Sequence, residues 1–173
     1  DHVRINGIID FKNLESNNFA EITDLLGGSG YLNVDSFDNF QFDLQNPDRV
    51  VGEGEKFRYN YNLYANVIST QAQAFFKYNT VDFYLSGSYT NTQYQREGLY
   101  QHEAFADNSF GKGRKLKFNG IGAKAGLTYK VTGKHLIDFN TAYISRAPSL
   151  RNTFTNAREN HAIVGDVSGN EIT

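Results

Sequence analysis

The chain has no cysteine, no methionine and no tryptophan, and only two of its 173 residues are proline. Without cysteine there is no disulfide, no thiolate metal site and no cysteine nucleophile. That absence suits a protein that crosses an oxidising space with nothing to pair. A chain that starts at Asp1 and lacks methionine reads as a processed form or an internal piece of a larger protein, and no signal peptide is visible. An excess of one charge is missing too: the formal net charge is −2, which gives no electrostatic case for a nucleic-acid partner. No run approaches 18 consecutive apolar residues, which excludes a transmembrane helix. It does not exclude a membrane, because barrel strands carry their hydrophobicity in alternation.

What is present is a β composition. There are 11 Tyr, 14 Phe and 16 Gly, with many Asn in polar stretches, and the length suits one domain. Four segments alternate with period two. The first sets Phe57, Tyr59, Tyr61, Leu63, Ala65 and Val67 against Arg58, Asn60, Asn62, Tyr64 and Asn66. The second sets Phe83, Leu85, Gly87 and Tyr89 against Asp82, Tyr84, Ser86, Ser88 and Thr90. The third sets Ile121, Ala123, Ala125, Leu127, Tyr129 and Val131 against Lys124, Thr128, Lys130 and three glycines. The fourth sets Ile137, Phe139, Thr141 and Tyr143 against Asp138, Asn140, Ala142 and Ile144. A helix would split each set across its circumference. The first segment loses its parity near Gln71, which suggests a bulge there. Residues 2–11 make a fifth, less regular strand, and residues 19–26 suit either a short helix or a strand.

The links between these segments alternate in length. Residues 79–81 and 132–134 are hairpin turns. About residues 13–55, about residues 98–116 and everything after Pro148 are long. An outer-membrane barrel requires this rule, because one rim carries tight turns and the other long loops. Tyr78, Phe83 and Tyr129 beside the tight turns suit an interfacial girdle, although aromatics favour strands in any setting. The expected fold class is therefore all-β, with antiparallel up-and-down strands.

The fourth strand runs into "YISRAPSLRNTF" (residues 143–154), where Pro148 ends strand pairing between Arg146 and Arg151. This stretch resembles the Arg-Ala-Pro-Ser/Thr-Leu/Ile-Arg turn of TonB-dependent outer-membrane receptors. The following "NARENHAIVGDVSGNEIT" is similar to the loop after that turn in Bacteroidetes-type members. The resemblance is strongest over about residues 117–173 and is compatible with the chain back to about residue 56. It implies an internal segment, residues 1–173, of a barrel of about 22 strands with long extracellular loops, in the bacterial outer membrane. The plug domain of such receptors is absent from this chain.

By the same resemblance the parent imports a scarce nutrient such as a metal chelate, cobalamin or a glycan. Its partners are outer-membrane lipid, its own plug and the TonB system, and no cofactor is implied. If Ile137, Phe139 and Tyr143 face lipid, then Asp138, Asn140 and Arg146 face the lumen, with Lys124, Lys130, Asn60 and Asn62. Arg146 and Arg151 then suit carboxylates of the plug or of an anionic ligand, or purely local partners.

Other sites carry less chemistry. His2, His102, His135 and His161 have no pair at metal-ligand spacing. Asp35, Asp38 and Asp43 lack the glycine and terminal glutamate of an EF-hand, leaving weak calcium binding or a solvated acidic loop. Lys112, Arg114, Lys115 and Lys117 suit either lipopolysaccharide phosphates at the long-loop rim or a flexible basic loop. Tyr94, Tyr100, Phe105 and Phe110 above one hairpin, and Tyr31, Phe37 and Phe40 above another, suit ligand capture or the packing of loops on each other. No catalytic constellation appears, so no enzyme is expected. The competing reading from another class is a secreted, soluble β-sandwich that binds carbohydrate or protein.

Overall fold

In the computed structural model, which describes residues 2–165, five long strands form one antiparallel meander. They are β1 (Val3–Glu21), β4 (Lys56–Lys77), β5 (Val81–Gly98), β7 (Leu116–Lys130) and β8 (Leu136–Ile144), hydrogen-bonded in the order β1-β4-β5-β7-β8. Two-residue strands β2 (Tyr31–Leu32) and β3 (Val50–Val51) pair with each other in the first long link, and β6 (Gly111–Lys112) pairs with the end of β5. One helical turn, α1 (Leu150–Thr153), follows Pro148. The sheet is open: among the described residues, the outer edges of β1 and β8 have no neighbouring strand. Residue 1 and the last part of the resemblance, residues 166–173, lie outside the described residues.

Residues 78–80 and 131–135 turn the chain tightly at one end of the sheet. Residues 22–55, 99–115 and 145–165 form long links at the other. The expected alternation of short and long connections is therefore present. At the tight end the Phe76 and Phe83 rings stack at 4.5 Å, with Tyr78 6.3 Å from Phe83.

Register shows what the faces are made of, since directly opposed residues share a face. The rows Val3–Phe76–Phe83–Leu127–Phe139 and Ile5–Ala74–Leu85–Ala125–Thr141 lie on one face, and Ile9, Phe11, Ile68, Tyr89 and Ile121 extend it. The result is a continuous apolar band nine residues tall on β1, β4, β5 and β7. That matches the roughly 9–11 residues a tilted strand needs to cross hydrocarbon. Nothing among the described residues covers it: Ile5 is 74% exposed, Phe11 72% and Phe139 65%. Behind the band the opposite face carries Asn6, Gln71, Gln73, Ser86, Ser88, Lys124, Asp138 and Asn140.

Three sequence expectations need correction. There is no bulge at Gln71: β4 keeps its register with β5 from Tyr61 to Lys77. The irregularity instead falls at the far end, where the β1 pairing shifts between Phe19 and Ala20 and Arg58 adopts a left-handed φ of 63°. Parity fails near Gln71 because the apolar set changes face. From Ile68 toward the tight turn, Ile68, Ala72, Ala74 and Phe76 join the exposed band. Above it Tyr61, Leu63, Ala65 and Val67 face the other way, beneath the long links. Asn60 and Asn62 accordingly lie on the band's face beyond its upper edge, not with Lys124 and Asp138. The third correction is length: β1 continues to Glu21, so the first long link starts at residue 22 rather than 13. Beyond residue 12 both faces of β1 are largely polar, and no period marks its continuation.

Candidate functional site

At the long-link end the inner face of the sheet carries Tyr61, Ala65, Thr92, Arg96 and Leu116, all buried. The three long links cover them and bond to one another. Leu44 N donates to Gln101 O, Glu103 N to Gln41 O and His161 N to Asn108 O, at 2.8–3.0 Å.

Arg96 ties this cap to the sheet. It is 1% exposed, and its guanidinium donates to Ala157 O (2.6 Å), Ser109 O (2.9 Å), Arg158 O (3.3 Å) and His161 Nδ1 (3.1 Å). It also sits 5.2 Å over the Tyr61 ring. Among the described residues no carboxylate lies within salt-bridge range of it. Burial lowers its pKa to about 10, opposed by Tyr61. Two glycines make room. A Cβ on Gly98 would stand 1.7 Å from Ser109 O, and one on Gly113 would stand 2.7 Å from His161 Nδ1.

The two histidines of the cap both have pKa values pushed below the ordinary imidazole range. Burial pushes the pKa of His161 down, and the Arg96 charge pushes it further. With Nδ1 accepting from Arg96 and Nε2 3.4 Å from Phe110 O, only the neutral Nε2–H tautomer serves both neighbours. His102 is buried against the edge of Phe42, its pKa lowered chiefly by burial. Its Nε2 and the Nδ2 of buried Asn33 have no partner among the described residues.

The expected site residues divide among several places. Tyr94 donates its hydroxyl to Pro148 O (3.1 Å), so it meets the turn that separates exposed Arg146 from exposed Arg151. Within that turn Ser149 caps α1 through Oγ and Asn152 N. Tyr100 and Phe105 belong elsewhere. Tyr100 is buried, its hydroxyl donating to Lys56 O at 2.8 Å, and Phe105 ends a turn of 3-10 helix (Glu103–Phe105). Lys124, Asp138 and Asn140 share the polar face at the tight-turn end. There Thr128 Oγ1 donates to Asp138 (2.5 Å) and the Tyr84 hydroxyl to Asn140 (3.3 Å).

Asp35 accepts from the Phe37 and Asp38 amides, which lower its pKa, and Asp43 accepts from Gln45 N and Gln101 N. These carboxylates close turns. Among the described residues no three His, Cys, Asp or Glu side chains converge as a metal-binding group.

The basic stretch is not a free loop, because β6 fixes it to β5 by the Glu97–Lys112 and Gly98–Gly111 pairs. Lys112, opposite Glu97, and Lys117, opposite Gln93, fall on the band's face just beyond its upper edge. Lys112 borders a polar groove of about 360 Å³ lined by Glu15, Tyr64, Asn66, Gln93 and Lys115 among others. There Glu97 accepts from the Tyr64 hydroxyl at 2.6 Å.

Sequence reasoning missed Arg96, Asn33 and the inward roles of His102 and His161. The one available signal was parity: Arg96 shares a face with Tyr94 and Thr92, the face opposite the alternating apolar band. No protein-family model matches the chain, and neither the curated proteins nor the solved structures compared with it give a match.

Proposed function

We propose that this chain is a section of the wall of an outer-membrane β-barrel receptor of the TonB-dependent kind. One observation carries the reading: a band of exposed apolar side chains runs across all five strands, nine residues tall on four of them, with a polar face behind it. Water-facing sheets do not leave such a band uncovered, and patches of this size mark contact with a membrane or a protein. Three further features support it. Tight turns lie at one end and long links at the other. The strands extend past the band only on the long-link side. The two unpaired edges are where further strands of a barrel of about 22 would join.

On this reading the band faces lipid, Lys124, Asp138 and Asn140 face the lumen and the plug of the parent chain, and the capped end is extracellular. The parent takes up a scarce nutrient with energy from the TonB system, and this section has no catalytic task. A soluble sandwich would need a second sheet about 10 Å from the apolar face. The only other sheet among the described residues is the two-residue β2–β3 pair.

The test is expression of the full coding sequence with fractionation of the envelope. Recovery in the outer membrane, with gel migration that changes on heating, is expected. A product soluble and monodisperse in plain buffer would refute the proposal.

A further inference from the structure

The cap over Arg96 encloses a cavity of about 240 Å³ lined by Arg96, Asn108, Arg114, Leu116, Phe154 and His161 among others. It shares Arg114, Leu116 and Ile163 with a neighbouring cavity of about 390 Å³. Among the described residues neither lining contains an aspartate or glutamate. From these cavities the geometry points to a binding site for a small polyanion, a ligand presenting carboxylate or phosphate oxygens, held between Arg114 and the Arg96–His161–Asn108 wall.

Two independent observations lead there. The first is the unbalanced charge of Arg96. A buried guanidinium is ordinarily paired with a carboxylate, because desolvating a lone cation is costly. Here its partners among the described residues are three carbonyls and a neutral imidazole, which take four of its five N–H groups. The second is the lining itself. Arg114 is exposed at the cavity's edge, so a cation stands at the entrance as well as at the wall. Asn108 adds an amide, and Leu116 and Phe154 add apolar walls that keep the local dielectric low. An anion there would receive charge-assisted hydrogen bonds, bidentate from Arg114, and would offset the Arg96 charge. The apolar walls favour a compact ligand with an organic skeleton, such as a di- or tricarboxylate or a phosphate ester.

The site lies on the sheet face opposite the apolar band, at the long-link end. Its role in uptake rests on the receptor reading, but its binding chemistry does not. The experiment is calorimetric titration of the full-length protein with citrate and with inorganic phosphate, for the wild type and for Arg114→Gln. Arg114 is exposed, so the variant keeps the fold, which far-UV circular dichroism verifies. Saturable binding of at least one probe is expected, about tenfold weaker in Arg114→Gln, as loss of one charge-assisted contact implies. Binding should weaken further with added salt. Absence of binding by both probes, or equal binding by the variant, would overturn the site. Either result leaves the receptor reading to envelope fractionation, so the two fail separately.

Discussion

Leu85 lies at mid-height of the apolar band on β5, opposite Ala74 and Ala125, and is 54% exposed. Ser88, three residues on, lies on the other face between Gln71 and Gly122 and is also exposed. In water Leu85→Arg and Ser88→Arg are both surface changes, expected within about 0.5 kcal/mol of wild type. In a bilayer they separate. An arginine facing lipid near the midplane of a barrel costs about 2–4 kcal/mol, whereas one facing a polar interior costs little. The folding equilibrium of Leu85→Arg should therefore fall by roughly 30- to 700-fold, while that of Ser88→Arg stays near wild type. The assay is urea-dependent folding of the full-length protein into phospholipid vesicles, read from the folded and unfolded bands of unheated gels. Equal midpoints for the two variants would refute the assignment of faces.

Removing the cap's anchor should loosen the cap and spare the sheet. Arg96→Met leaves three carbonyls and His161 Nδ1 without their donor, and amide exchange over residues 154–163 should accelerate at least tenfold, with β4–β5 protection unchanged. Gly98→Ala drives a Cβ into the Ser109 carbonyl and should cost about 1–3 kcal/mol by urea midpoint. Gly87→Ala, whose Cβ meets nothing within 4 Å, should be neutral or slightly stabilising in the same assay. Acid should open the cap. His102 and His161 both have folded pKa values below the ordinary 6.5, so below about pH 6.5 the open form binds protons that the closed form refuses. Cap stability is thus complete above that pH and falls as pH drops toward the folded values. Protection factors over 154–163, with the pH dependence of intrinsic amide exchange divided out, should be lower at pH 5 than at pH 7, and His161→Gln should flatten the difference.

Period-two patterning located the strands where each crosses a single environment. Residues 121–131 and 137–143 alternate cleanly because one side of each meets the uncovered face throughout. β4 misled because it crosses two environments. Its lower part is apolar outward and its upper part apolar inward, and a reading that assumes one greasy face per strand turns that exchange into a bulge. The continuation of β1 past residue 12 was illegible because its polar faces have no contrast to read. The links were legible only as lengths. Arg96 gathers carbonyls from residues 109, 157 and 158, and no local pattern encodes contacts made 13 to 62 positions away. The Pro148 motif carried a family resemblance, while its local role is plain chain geometry: Pro148 accepts from Tyr94, and Ser149 caps a single helical turn.

The central claim is that one face of this sheet meets lipid. Cysteine is absent from the chain, so a cysteine introduced within it adds one defined spin-label site. Labels at Ile9, Leu85, Ile121 and Phe139 on the band, and at Ser88, Lys124 and Asn140 behind it, can be scanned in the full-length protein in vesicles. Electron paramagnetic resonance then reads their collisions with oxygen, which concentrates in hydrocarbon, and with a water-soluble nickel chelate. The account predicts high oxygen and low nickel accessibility at the four band positions, and no such oxygen preference at the other three. Nickel accessibility at the band positions as high as on a water-exposed loop such as residues 132–134 would contradict it.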